Sequence, residues 1–175
     1  MKSSLLWKRA TVSDLVSAPI FELEAAVHFR EELRARGRRV AFTNGVFDLV
    51  HAGHVAYLAW ARAQGDALIL GLNADASVRA LKGPERPLVP FADRAAVLAG
   101  LRSVDAIVGF SERTPEVLLD ALRPDVHVKS AQYRLEDLPE RIVVLQHGGE
   151  IRLAPHLAGK STTDIVAEIR RRYGG

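Results

Sequence analysis

Cysteine is absent from the 175-residue chain, which excludes a disulfide framework, a thiol nucleophile, a zinc finger and an iron–sulfur centre. No apolar run approaches the roughly 18–20 residues of a membrane span. The opening ten residues hold only Leu5-Leu6-Trp7 as an apolar block, too short for a signal peptide, so a cytoplasmic protein is expected. Neither a G-x-x-x-x-G-K-[ST] loop nor a G-x-G-x-x-G loop occurs, and no Ser elbow, so these fingerprints are missing. Lysine is scarce: five of the 24 basic residues, the rest being arginine.

What is present is the composition of a folded domain, 48% hydrophobic and 26% charged. A chain of this size buries about 70% of its unfolded surface. Net charge is +3 and the isoelectric point about 9.5, with the arginines spread as on solvated helix faces. Residues 1–20, with Ser3-Ser4 and Pro19, read as an arm. Apolar residues then recur at helical spacing over 21–36 (Leu23, Ala26, Val27, Phe29, Leu33), with Gly37 as the stop. The expected division is residues 1–37, an extension and helix, and residues 38–175, the main domain.

Within that domain, short apolar strands at 39–43, 66–72, 104–110, 126–129 and 150–153 alternate with helices at 52–64, 75–81, 91–101, 115–122 and 161–173. Residues 82–87, with two prolines, form a loop. Residues 141–147 suit either a strand or a buried helix. Strands almost wholly apolar and separated by helices predict an α/β fold, a Rossmann-like doubly wound parallel sheet with helices on both faces. Such sheets bind ligands beyond the carboxyl ends of their strands.

Three segments at those ends can carry chemistry. In Thr43-Asn-Gly-Val-Phe-Asp-Leu-Val-His-Ala-Gly-His54, Asn44-Gly45 is also a hairpin signal, but the following run breaks into two histidines and leads into a helix. A strand, a Gly-containing loop and a helix beginning at two imidazoles make a phosphate site. Two histidines three apart are within reach of one metal, but no third ligand is near and no metal site is assigned. Asp48 could orient a histidine or cap a turn. Lys82, Lys129 and Lys160 fall at or after element ends. Each alone reads as a solvated lysine, but three at one sheet edge point to phosphate oxygens. In Gly159-Lys-Ser-Thr-Thr-Asp164, Ser161 and Asp164 fit a capping box, and the same N–H groups and hydroxyls can hold a triphosphate. His28, His127, His147 and His156 read as structural or surface residues, and Trp7 and Trp60 as core or interface. Arg170-Arg171-Arg172 complements a helix dipole; no nucleic-acid motif accompanies it, so neither a nucleic-acid nor a membrane partner is expected.

Asn44-Gly-Val-Phe-Asp48 with His51-Ala-Gly-His54 resembles the H-x-G-H signature of the cytidylyltransferase-like nucleotidyltransferases. Asn73-Ala-Asp-Ala-Ser-Val78, Lys82-Gly-Pro-Glu-Arg-Pro87, Arg94, Val104-Asp105, Arg123-Pro-Asp125 and Ser161-Thr-Thr163 follow in that family's order, so the resemblance covers about residues 38–173. Within the family the likeness is greatest to the heptose 1-phosphate adenylyltransferases, with the glycerol-3-phosphate cytidylyltransferases next.

The resemblance implies transfer of AMP from ATP to a heptose 1-phosphate, giving pyrophosphate and an ADP-sugar. CTP with glycerol 3-phosphate or a related polyol phosphate is the runner-up. It implies catalytic roles for His51, His54, Lys82 and Lys129. It further implies that Thr43, Asn44, Gly45, Val46, Phe47, Asp48, Gly53 and Asn73 line the nucleotide pocket, that Arg94 holds phosphate, and that Ser161, Thr162 and Thr163 cap the β- and γ-phosphates. Mg²⁺ would bridge phosphates mostly through water, without a protein cage, and the family suggests a homodimer. Where the family usually reads Lys-Gly-Gly-Asp-Tyr, this chain has Lys129-Ser-Ala-Gln-Tyr133, without the two glycines that can take positive φ. That change keeps open a second class of function, a nucleotide-binding protein that does not catalyse.

Overall fold

The computed structural model describes residues 18–155 and 162–174; Trp7 and most of the expected N-terminal arm lie outside them. In chain order the elements are β1 (Ile20–Phe21), α1 (Leu23–Ala35), β2 (Val40–Gly45), α2 (Ala52–Arg62), β3 (Ala67–Asn73), α3 (Asp75–Lys82), α4 (Phe91–Ala99), β4 (Ala106–Phe110), α5 (Glu116–Leu122), β5 (Val126–Ser130), α6 (Arg141–Gln146), β6 (Glu150–Ala154) and α7 (Thr162–Tyr173). All strand pairs are parallel and the sheet order is β1-β4-β3-β2-β5-β6. This is the Rossmann-like arrangement that the apolar strands predict. No helix among the described residues is long and apolar enough to cross a membrane.

Both faces of the sheet are dry, which explains the unbroken apolar runs. All seven residues of β3 are buried. Leu68, Leu70 and Leu72 point to one face, where Leu58 and Ala61 of α2 and Ala95 and Leu98 of α4 pack. Ala67 and Ile69 point to the other, against Ala26 of α1, Leu118, Leu119 and Leu122 of α5 and Val144 of α6. Period-two alternation thus sends every second side chain into one of two cores.

One element differs from the sequence expectation, and one that it left open is settled. Residues 20–21 are an edge strand paired with Ile107 and Val108 of β4, too short to leave a periodic signal. Residues 141–146, open between strand and helix, form α6. Only Val144 there is buried, while Ile142 is 73% and Leu145 49% exposed. A strand at the sheet's edge would need more of that run covered, and β6 fills the place beside β5 instead.

The chain turns direction of growth after β4: β2, β3 and β4 advance to one side, and β5 returns to the other side of β2. Ligand crevices form at such a switch point. The β2–β5 junction is fastened at its amino end by Asp125, whose Oδ2 accepts from Val40 N (2.7 Å) and from Arg30 Nη2 (3.1 Å). The Arg30 side chain is 3% exposed; burial lowers its pKa and the Asp125 charge pulls it back up. Asp125→Ala leaves that guanidinium uncompensated and is expected to cost about 2–4 kcal/mol in denaturant unfolding, somewhat less than a fully buried pair because Asp125 is partly exposed. Adding Arg30→Met should recover most of the loss. A single variant within 0.5 kcal/mol of the parent, as for about any surface change, would mean the pair does not hold the junction.

Candidate active site

β2 and β5 pair only through Ala41–Val126 and Phe42–His127. Beyond that point the strands part, while each keeps its ladder to its other neighbour. Side chains fill the gap. Thr43 Oγ1 lies 2.6 Å from Tyr57 Oη, and both hydroxyls approach the Val128 carbonyl, at 2.9 and 3.0 Å. Burial pushes the Tyr57 phenol far up, so it stays protonated and can donate. One step further out, Lys129 Nζ donates to Asn44 Oδ1 at 3.3 Å. The crevice floor is therefore a ladder of side-chain hydrogen bonds where backbone bonds have stopped.

The loop after β2 returns the chain to α2. Phe47 takes φ +46° and turns its ring into the core. A Cβ on Gly45 would sit 2.7 Å from that ring, so glycine is required there. Phe47 then meets His54 edge-on, with ring centroids 5.1 Å apart. His51 caps α2: its Nδ1 accepts from Gly53 N at 3.1 Å. In the neutral ring this leaves the proton on Nε2. The His51 and His54 rings stack at 3.9 Å. Burial first, then the neighbouring His51, lowers the His54 pKa to about 4, against a smaller pull from the Leu49 carbonyl. Thr162, at the start of α7, reaches the same loop through a 3.5 Å contact with the Leu49 carbonyl, bringing Thr163 with it. Ser161, Lys160 and His156 lie outside the described residues.

Several residues expected to touch the nucleotide are instead buried. Arg94 is 1% exposed. Its guanidinium donates to the Val89, Val46 and Asn73 carbonyls and to Asp75 Oδ1, at 2.6–2.9 Å. With four of its five N–H groups used, it ties together the loops after β2 and β3 rather than facing a phosphate. Asp48, 4% exposed, accepts from Leu88 N and Val89 N and pairs with Arg86 at 3.0 Å. It fastens the Pro-rich loop to the histidine loop; it does not orient a histidine. Asn73 donates to Ser77 Oγ at 2.9 Å. Thr43, Phe47 and Asn73 are likewise buried. Val46 contributes its carbonyl to Arg94. Lys82 is the exposed last residue of α3, at the start of the loop that Asp48 anchors.

The loop at 130–132 adapts without glycine. None of Ser130, Ala131 and Gln132 takes positive φ; Ala131 N donates to Ala154 O and Tyr133 N to Ser130 O. Tyr133 folds back so that Lys129 Nζ lies 5.0 Å from its ring centroid. The structure adds one residue that no motif had marked, Glu140. Its Oε1 is 2.9 Å from Lys129 Nζ and 3.2 Å from His127 Nε2. Burial pushes its carboxyl up, but the His127 bond and Lys129 together outweigh this and hold it at about 2. Burial lowers the His127 pKa, so the neutral ring donates through Nε2. Glu140, a single acid just before a helix, gave no signal in the sequence.

For the ligand-free chain, His54 is expected to titrate near pH 4 by ring-proton NMR. Between about pH 6.5 and pH 4 the unfolded chain takes up a proton the folded chain refuses, so stability rises with pH across that window and this term is flat above it. A His54 titration at pH 6.5 would contradict the buried, stacked geometry.

Residues 42–170 match a family model described as cytidylyltransferase-like. Among curated proteins, the chain is 48% identical over 153 residues to the bifunctional protein HldE of Azotobacter vinelandii, and 46% identical over 157 residues to that of Geobacter metallireducens. These matches cover 87% and 90% of this chain and 32% of each relative, so the chain spans about a third of their length. Among solved structures, a lipopolysaccharide core biosynthesis protein of Thermoplasma volcanium superposes with a TM-score of 0.57 at 21% identity, over 69% of this chain and 98% of that one. A pantoate-beta-alanine ligase of Francisella tularensis gives 0.56 at 14%, over 89% and 77%. Those two show a shared fold. The family match over most of the sheet, on a chain whose paired histidines open the helix at the switch point, means that the chain belongs to the cytidylyltransferase-like family.

Proposed function

We propose that the chain is a nucleotidyltransferase that transfers AMP from ATP to a heptose 1-phosphate. A phosphate oxygen of the sugar attacks the α-phosphorus in line, the α–β P–O bond breaks, and pyrophosphate leaves with the bonding electrons. The observation that carries this reading is the stacked His51–His54 pair at the start of α2, which follows the end of β2 where Asn44 meets Lys129 across the parted strands. Such a reaction asks a protein for positioning and for donors aimed at developing charge. In this reading His51 donates through Nε2 to oxygens around the α-phosphorus, and His54, neutral in the free chain, joins it as a donor when the negative charge of the phosphates raises its pKa and protonates it; Lys129 and Lys82 neutralise phosphates from opposite sides, and Thr162 and Thr163 hold the β- and γ-phosphates. The choice of ATP and a heptose phosphate is supported by the Lys82–Pro87 segment and by the likeness to HldE.

Among the described residues no group of three His, Cys, Asp or Glu could hold a metal ion. Mg²⁺ enters this proposal as part of the nucleotide, bound to its phosphates. The same reading takes a homodimer in the cytoplasm as the working form.

The test is pyrophosphate release with Mg²⁺, crossing ATP and CTP against heptose 1-phosphate and glycerol 3-phosphate. Release with ATP and the heptose is expected; release only with CTP and glycerol 3-phosphate would overturn the substrate assignment. His54→Ala should fall by about 10²–10³-fold in kcat, the scale for losing one preorganised donor, with its unfolding midpoint near the parent's. Turnover within a few-fold of the parent would remove His54 from the mechanism.

A further inference from the structure

Glu140 stands outside every segment that pointed to the site, yet it touches the group nearest the crevice. Its side chain is 2% exposed and makes no hydrogen bond that caps α6. Its Oε1 instead receives Lys129 Nζ and His127 Nε2 together. Lys129 Nζ in turn reaches Asn44 Oδ1 across the parted strands, under the Tyr133 ring. An ammonium on a four-carbon stem is ordinarily free to sample many rotamers; here it is bounded by Asn44 of β2 and by Tyr133 and Glu140 of the 131–140 segment. Replacing a buried ionic cluster by apolar groups is often neutral or stabilising, so stability alone does not account for a carboxylate in this place.

We propose that Glu140 is the positioning residue for Lys129: its buried carboxylate holds the ammonium, and through it the Asn44 amide, where the phosphates of a nucleotide entering between β2 and β5 meet both. The proposal rests on the nucleotidyltransferase reading and deepens it. With Oδ1 accepting from Lys129, the Asn44 amide keeps Nδ2 as its donor end. Glu140 sends the Lys129 charge out as a directed donor rather than a mobile one, and His127 donates to the same oxygen from the buried side.

The sign of one substitution separates this role from a merely electrostatic one. Glu140→Gln removes a negative charge close to an anionic ligand, so simple Coulomb interaction would tighten ATP binding. A positioning role requires it to weaken. We expect the Kd for ATP, measured by calorimetry on the full chain, to rise ~10–100-fold, the effect usual for losing a group that orients a ligand-binding side chain. In a Lys129→Met background the same change should act within about twofold, because the group it positions is gone. Unchanged or tighter binding, or equal losses in both backgrounds, would overturn the proposal. Should Glu140→Gln not fold, Glu140→Asp keeps the charge, displaces it by one methylene and carries the same cycle. Pyrophosphate release is followed in parallel. A parent chain that binds ATP but transfers nothing to a heptose 1-phosphate overturns the reaction proposed above and leaves the binding cycle to decide on Glu140. A parent that binds no nucleotide overturns both.

Discussion

The parting of β2 and β5 after two residue pairs is the constraint on which the site depends. A parallel sheet that stops pairing in its interior exposes N–H and C=O groups that must find other partners. Here the Val128 carbonyl takes the Thr43 and Tyr57 hydroxyls, and beyond them Lys129 and Asn44 bridge the gap side chain to side chain. Each satisfies a polar group in the gap and, by its length, keeps the strands apart. The crevice is thus held open by hydrogen bonds rather than by missing atoms. Asp125 closes the same junction at its other end, so the opening has a hinge side and a mouth side.

Two layers of polar residues follow from this. The outer one holds His51, His54, Lys129 and Lys82. The inner one holds Arg94, Asp48, Asn73 and Ser77, all nearly inaccessible, and joins the loops that leave β2, β3 and α3. Arg94 alone connects three of them. A charged residue this deep is tolerable only when its donors are used, and its use here is to fix loop ends that have no regular structure of their own. The helix-start histidines can then be stacked and half-buried without a loop free to relax away from them.

The fold was legible in the sequence because burial on both faces removes the polar alternation from the strands; β3 is apolar from Ala67 to Leu72 and every residue of it is covered. A two-residue edge strand leaves no such trace. At the site, the spacing of His51 and His54 and the scarcity of lysine singled out segments at strand and helix ends, and Thr162 does come to the histidine loop. Which polar residue faces the crevice and which lies beneath it was not legible. Arg94 and Asp48 sit among the motif residues, and an arginine that binds phosphate has the same letter as one that binds three carbonyls. Glu140 was hidden for the opposite reason. It lies eleven residues beyond Lys129, in a segment whose neighbours Glu136 and Asp137 are ordinary exposed acids, and only the fold separates them.

The charges in the crevice are more restrained than its composition suggests. Burial and His51 keep His54 neutral in the free chain, and Lys129 is paired with an ionised Glu140. What these two groups offer a polyphosphate is therefore position more than net charge. That matters for the proposed reaction. A strongly cationic pocket would hold ATP and departing pyrophosphate about equally, and binding that is uniform along a reaction path does not speed it. Fixed donors discriminate by direction: they interact best with whichever oxygen lies in line with them. In the proposed reaction, a His51 ring whose proton is assigned by capping and an ammonium whose position is set from behind would favour the geometry in which the α-phosphorus carries its developing charge, and would let go of a product that has left that place.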